Sequence, residues 1–579
     1  LELSGTGVSP GIAVGRAVVI EREAVTVFRL LLPPEEVEGE VQRLSRAVEA
    51  SRQQLQSIKE RLSREVGMPH AYIFDAQLLM LEDPLLLDRS VSVIREEHVN
   101  AEWALRTVSE QLHALFDEFS DAYLKERSTD LDDVLGRIQL NLAGAEGAPS
   151  LSRLPGESVL VADDLTPSEA ANLEWDKVSA VAIDAGSRTY HTALLARSLG
   201  IPAVVGLKDA TSRVPPGALL VVDGTRGVVV VEPSEPALLE FRDEQERERD
   251  EERRLQELRL VPAVTRDGVS VRLHANVEFP TEAATALLYG AEGIGLFRSE
   301  YLLGRGRAFP GEEQQIDVYR RLLEQMRPHP VTVRTWDVEP EDVLPGGPTS
   351  ANPALGERAL RLLRRSPDPF RTQLRALLRA AVHGPLRVVF PFVAGPADLR
   401  AALELVEQVR QELSREGMAH QPNVPLGLNL EIPSAAATAD LLLPHVDFFS
   451  VGTNDLIQYL LAVDRIDPRV SSLYQPLHPA VTRTLAQIVR TVEPHGLPLS
   501  VCGEMAADPL QALLLLGLGF RELSMSSSAI PRVKEALRNV DAAQARATAQ
   551  RCLELETAEE VEGLLRSELK DALKPTAVL

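Results

Sequence analysis

Eight residues in the second half of the chain have side chains suited to the chemistry of an anion, and each follows a short apolar run. Arg298 ends GIGLF, and Arg334 ends VTVR with Asp337 close behind. Glu431 ends LGLNL, Asn454 and Asp455 follow DFFSVG, and Cys502 lies in LSVCG just before Glu504. Arg358 (NPALGER) and Arg465 (AVDRIDP) fall in the segments after two of these runs. A guanidinium fork matches carboxylate and phosphate, so four arginines suit a doubly or triply negative ligand. Glu431 and Asp455 suit a hard cation such as Mg²⁺, which takes one or two carboxylates alongside substrate oxygens and water. Cys502, among cations, is a candidate general acid toward a developing enolate, the alternative being an inert packing thiol. Together they describe a Mg²⁺-dependent site for a small phosphorylated acid.

A second candidate lies far away in the chain. His191 opens the helical pattern of AGSRTYHTALLARSLGIPAVVG, directly after Arg188 and Thr189. A histidine is an indifferent helix former, but the free N–H groups of a helix start favour an anion there. His191 is therefore either a half-buried ring at a helix end or a nucleophile.

The elements that must position these residues follow from periodicity. Eight apolar segments (271–277, 293–297, 331–335, 387–392, 426–431, 447–452, 499–503 and 521–525) alternate with helical patterns such as DLRAALELVEQVRQELSREG. Such alternation predicts a (β/α)₈ TIM barrel, in which function gathers at the C-terminal strand ends, with a doubly wound open sheet as the alternative. Residues 1–30 and 146–235 read as strands and short helices of one α/β domain. Residues 31–145 repeat apolar positions at three- and four-residue intervals and read as an inserted helical bundle. Residues 236–260 (PALLEFRDEQERERDEERRLQELRL) mix both charges densely, as a solvated linker helix does. Residues 261–579 hold the barrel.

Composition narrows the class. The 579 residues include 61 basic and 85 acidic side chains, a net charge of −24, which argues against a nucleic-acid-binding surface. Two cysteines, Cys502 and Cys552, suit a reducing cytoplasm rather than a disulfide framework. No apolar run is long enough for membrane insertion, and no signal peptide is visible. The chain starts at Leu1 rather than Met, which permits a piece of a longer fusion.

Taken with LLMLEDP, YLKERSTDLDDV, LYQPLHP and CGEMAAD, these motifs resemble the Enzyme I family of the bacterial phosphotransferase system, the phosphoenolpyruvate–protein phosphotransferases, from about Gly5 to Leu537. The resemblance implies a swivelling phosphohistidine α/β domain with the helical bundle inserted, followed by the barrel. It implies that phosphoenolpyruvate and Mg²⁺ bind the barrel rim and that the phosphoryl group passes to His191, supported by Arg188 and Thr189. It further implies transfer to a histidine-containing phosphocarrier protein docked on the bundle, a homodimer made by the barrel, and a place in sugar transport. Carried over by motif, Arg298, Arg334, Arg358, Asn454 and Arg465 hold the substrate. By the same motifs Glu431 and Asp455 ligate the metal and Cys502 protonates the enolate.

The chain departs from the family pattern at several points. Ser187 and Tyr190 replace a glycine and a serine before the histidine. Asp337-Val338-Glu339-Pro340-Glu341-Asp342 replaces Asp-Ile-Gly-Gly-Asp-Lys, and Asn429 replaces a methionine. A regulatory or nitrogen-branch homologue acting mainly through partner binding is the competing reading. An enzyme of the dikinase or synthase type would need a further nucleotide-binding domain.

Overall fold

The computed structural model describes residues 1–20, 27–65, 77–78, 80–81, 83–117, 122–143, 154–165, 173–185, 196, 200–303, 309–339, 352–363, 365–465, 467 and 469–574. It divides into two compact units, Leu1–Asp250 and Glu251–Leu579.

The first unit holds an eight-stranded sheet and a helical bundle. The strands are β1 (Glu2–Ser4), β2 (Thr6–Ser9), β3 (Ile12–Ile20), β4 (Ser158–Ala162), β5 (Val178–Ile183), β6 (Ala203–Val205), β7 (Leu219–Asp223) and β8 (Val228–Val231), in the order β1-β8-β7-β3-β4-β5-β6-β2. The strands β3 to β6 run parallel to one another. Both faces of this stretch are covered: Val159, Val161, Ala180 and Ala182 enter one core, while Leu160, Ala162, Val181 and Ile183 enter another. That is why SVLVA and VSAVAI read as continuous apolar runs rather than alternating ones. At the end of β5, Asp184 accepts the backbone N–H groups of Ala210 and Thr211 at 2.5 and 2.9 Å, tying the sheet to the turn after β6.

The bundle lies between β3 and β4 in the chain. Its helices are α1 (Val37–Glu65), α2 (Pro84–Glu97), α3 (Ala101–Asp117) and α4 (Ala122–Leu142). Its core repeats at helical spacing: Ala101, Ala104, Leu105 and Val108 on α3 meet Leu131, Val134, Leu135 and Ile138 on α4. The charge-rich segment forms α5 (Glu235–Glu257).

The second unit is the closed parallel barrel that the alternation predicts. Its strands are β9 (Arg272–Val277), β10 (Ile294–Arg298), β11 (Val331–Arg334), β12 (Leu386–Phe390), β13 (Leu426–Leu430), β14 (Phe448–Val451), β15 (Leu499–Val501) and β16 (Glu522–Met525), with β16 pairing back onto β9. A large apolar core joins the strands to the surrounding helices. Inward positions are unusually polar. Ser524 donates to Asn276 across the β16–β9 seam at 2.6 Å, and Asn276 donates to the carbonyl of Cys502 at 3.0 Å.

Two glycines let the end of β14 close on its neighbours, Gly503 on the β15 side and Gly452 on the β13 side. A Cβ on Gly503 would lie 1.8 Å from Oγ1 of Thr453, and one on Gly452 would lie 2.8 Å from Nδ2 of Asn429. Gly503→Ala is therefore expected to force the ends of β14 and β15 apart, destabilising the barrel by about 1–3 kcal/mol, as overpacking does. Thermal melting checks this; an unchanged barrel transition would contradict the packing described.

Candidate active site

The C-terminal ends of β10 to β15 converge on one rim, and its architecture starts with the backbone beyond β11. Gln373 is fully buried on the helix Pro367–Ala380. Its Oε1 accepts the Trp336 N–H at 2.9 Å, and its Nε2 donates to Oγ of Ser299 at 2.8 Å. Ser299 in turn donates to the carbonyl of Arg334 at 2.7 Å. This chain of neutral bonds fixes the segment from which Arg334 and Asp337 project.

Asp337, 1% exposed at its side chain, then organises the cations. Arg358 grips it with Nε and Nη2 at 2.6 and 2.8 Å, and Nη1 of Arg334 reaches it at 3.0 Å. Burial alone would raise the Asp337 carboxyl; the charges of Arg334 and Arg358 outweigh it and hold the group below the usual carboxylate range. The same Arg358 donates to Oδ2 of Asp455 at 3.0 Å, and Arg465 lies 3.9 Å from the other oxygen. Arg334 also donates to Glu300, and Arg298 donates to Glu278 at 3.0 Å. All four sequence-identified arginines therefore rest on carboxylates, and Asp337 and Asp455 link three of them into one web.

Glu431 lies at the centre of this web, 2% exposed. Its Oε1 accepts the N–H of Phe392 at 2.5 Å, and its Oε2 accepts from Nδ2 of Asn429. Burial, followed by the charges of Asp455 and Asp337, pushes its carboxyl up to about 8, against the pull of Arg334 and Arg358. Phe392 has a φ of 56°, in the left-handed region that bulky residues avoid. Its ring lies 5.2 Å from the guanidinium of Arg358 and 4.6 Å from that of Arg361, within cation–π range. The strained residue thus serves both a carboxylate and an arginine of the site.

Asp455 and Asn454 belong to the first turn of the helix Thr453–Leu461, where the free N–H groups favour an acidic side chain. The Asn454 carbonyl oxygen Oδ1 accepts the Glu504 N–H at 2.8 Å, and its Nδ2 donates to the Glu504 carboxylate at 3.2 Å. Cys502 is 6% exposed, with Sγ 3.6 Å from Oδ1 of Asn429 and equally far from the Val451 carbonyl. Burial pushes its thiol up to about 11, with the Ser450 hydroxyl acting in the opposite direction. At neutral pH this sulfur carries its proton.

The rim thus brings together Arg298, Arg334, Arg358, Glu431, Asn454, Asp455, Arg465 and Cys502. His191, Arg188 and Thr189 lie outside the described residues, as do Pro340, Glu341 and Asp342 of the altered loop. Sequence reasoning gave no role to Asn429, Phe392, Glu300 or Gln373. Only Asn429 had a visible signal, a polar residue two positions before Glu431 and hence on the same side of the strand.

Comparison with known proteins agrees with this geometry. Residues 252–542 match the PEP-binding domain of PEP-utilising enzymes, residues 4–127 their N-terminal domain and residues 154–227 their mobile domain. A protein of Staphylococcus carnosus named phosphoenolpyruvate-protein phosphotransferase is 39% identical over 99% of this chain and 100% of its own length. Proteins of the same name from Cupriavidus necator (40% identical, 92% of this chain and 93% of theirs) and Bacillus subtilis (38% identical, 98% and 100%) are equally similar. The chain belongs to the PEP-utilising enzymes and, within them, to the phosphoenolpyruvate–protein phosphotransferases. Among the described residues no helix is long and apolar enough to cross a membrane.

The environment of Glu431 has a measurable consequence in the metal-free protein. A carboxyl raised from the ordinary 4.5 to about 8 loses its proton earlier in the unfolded chain than in the folded one. Its contribution to stability is full below pH 4.5 and is lost as pH rises through 8. Glu431→Gln does not titrate, so its melting temperature should match the parent's near pH 4.5 and exceed it increasingly toward pH 8.5. A constant difference across that range would contradict the assigned burial and charge environment.

Proposed function

We propose that this enzyme transfers the phosphoryl group of phosphoenolpyruvate to His191 and from there to a histidine-containing phosphocarrier protein docked on the helical insert, as the entry step of sugar uptake. The observation that carries the reading is the web of Arg334, Arg358 and Arg465 on Asp337 and Asp455, within the part of the chain matching a PEP-binding domain. In this reading the barrel also forms the homodimer, and the α/β domain moves so that His191 visits the rim and the carrier in turn.

The chemistry asks for positioning and charge neutralisation. Arg298, Arg334, Arg358 and Arg465 bind the phosphate and carboxylate groups, and Asn454 contacts the phosphate. Nε of Arg334 is buried with no acceptor among the described residues, which leaves it a donor for such a ligand. The P–O bond of phosphoenolpyruvate breaks as a bond forms from phosphorus to an imidazole nitrogen of His191, and the electron pair stays on the departing enolate. Cys502 gives its S–H proton to the enolate carbon, yielding pyruvate, and recovers a proton from water.

Glu431 and Asp455 would hold a divalent cation, Mg²⁺ in this reading. The donor set fits: two carboxylates are held close enough that the charge of Asp455 raises Glu431, a pair that a hard cation stabilises. When bound, Mg²⁺ supplies neutralising charge to these carboxylates and to the phosphoryl oxygens. The protein's own part is to keep Glu431 oriented through Phe392 and Asn429 and to keep Asp455 on Arg358.

Incubation with labelled phosphoenolpyruvate and Mg²⁺ should place one acid-labile phosphoryl group on the chain, seen as a shift in intact mass. In His191→Ala the label should fall to background. Undiminished labelling of that variant would overturn the assignment.

A further inference from the structure

Asn429 is the last inward residue of β13 before Glu431, and its amide has a partner at each end. Nδ2 donates to Oε2 of Glu431, and Oδ1 accepts from Sγ of Cys502 at 3.6 Å. The two ends are not interchangeable. Both oxygens of Glu431 act as acceptors here, Oε1 toward the Phe392 N–H and Oε2 toward the NH₂ end of Asn429, which leaves the carbonyl end for sulfur. A carbonyl oxygen can receive an S–H and has nothing to offer a thiolate. The Val451 carbonyl, also 3.6 Å from the sulfur, makes the same demand, and the Ser450 hydroxyl acts the other way without outweighing burial. Asn429 is 2% exposed, so solvent does not compete for either bond. The backbone of Cys502 is held as well, by Nδ2 of Asn276 on its carbonyl at 3.0 Å. Gly452 leaves the space the amide needs, since a Cβ there would lie 2.8 Å from Nδ2 of Asn429 and 2.9 Å from Oε2 of Glu431.

We propose that Asn429 is a positioning residue for proton delivery: its amide keeps Cys502 in the S–H form and ties that thiol to the carboxylate of Glu431, so that the proton donor and the carboxylate are oriented as one unit. The inference rests on the reading of Cys502 as the donor to the enolate and deepens it. In that step the S–H bond breaks and a C–H bond forms from the enolate's electron pair. The sulfur is left as a buried thiolate facing two carbonyl oxygens, with the Ser450 hydroxyl only partly offsetting them. That arrangement disfavours the thiolate, so the sulfur promptly takes a proton back from water. The amide thereby favours the thiol before and after each turnover. An apolar side chain of similar bulk at 429 would leave Oε2 of Glu431 without its donor and the sulfur with one acceptor.

The S–H stretch of Cys502 tests this directly, because the infrared window in which thiols absorb is free of other protein bands. The band is assigned by its loss in Cys502→Ala and compared in the parent, Asn429→Leu and Asn429→Met. Losing an acceptor should move it to higher frequency in both variants. Single-turnover mixing with phosphoenolpyruvate and Mg²⁺ then follows His191 phosphorylation and pyruvate formation separately. Pyruvate formation should slow at least about tenfold more than phosphorylation, part of the 10²–10⁴ that general acid help is typically worth. An unmoved S–H band in either folded variant, or two steps that slow in parallel, would overturn the role of Asn429. A parent protein that forms no phosphohistidine would overturn the proposed function instead, while the S–H band would still decide the contact.

Discussion

The rim depends on one buried carboxylate. Asp337 takes two bonds from Arg358 and one contact from Arg334, and without it two guanidinium groups would share a nearly dry site with no common counter-charge. An unpaired buried charge is costly, whereas a paired and hydrogen-bonded one is tolerated. The neutral chain through Gln373, Ser299 and Trp336 secures the backbone that carries Asp337. From there order spreads outward: Arg358 fixes Asp455, Arg465 leans on the same carboxylate, and the ring of Phe392 supports Arg358 while its N–H holds Glu431. The cations needed for a small dianion are therefore held in place before any ligand arrives. Such pre-organisation saves the cost of ordering long side chains on binding.

The carboxylates also impose a limit. Each arginine rests on an acid, and Glu431 sits beside Asp455 and Asp337 at a proton affinity far above that of an ordinary glutamate. An anion entering this web meets repulsion as well as attraction unless the acids find other partners. A hard cation held by Glu431 and Asp455, as proposed above, would answer that problem, and metal and anion would then bind with mutual support. The buried thiol fits the same environment, because low polarity and nearby carbonyl groups keep its proton in place.

Much of this was legible in the sequence. Period and spacing located all eight barrel strands to within a few residues, since a polar residue at the end of an apolar run marks both the strand end and the functional rim. The helical insert announced itself by three- and four-residue spacing. The organising part of Asp337 was less accessible: in the sequence it is one more polar residue just beyond a strand end, yet its side chain is buried against two arginines. The left-handed backbone at Phe392 and the support from Gln373 had no sequence signal at all. They arise where strand ends and helices from distant segments meet.

Calorimetric titration of phosphoenolpyruvate, with Mg²⁺ present, into the parent and into Asp337→Asn separates organisation from bulk charge. If Asp337 acts by holding Arg334 and Arg358 in register, the variant should bind about tenfold more weakly or worse, a loss of about 1.4 kcal/mol or more. Equal or tighter binding by Asp337→Asn, the result expected from removing a negative charge near an anion, would contradict the central role given to this carboxylate.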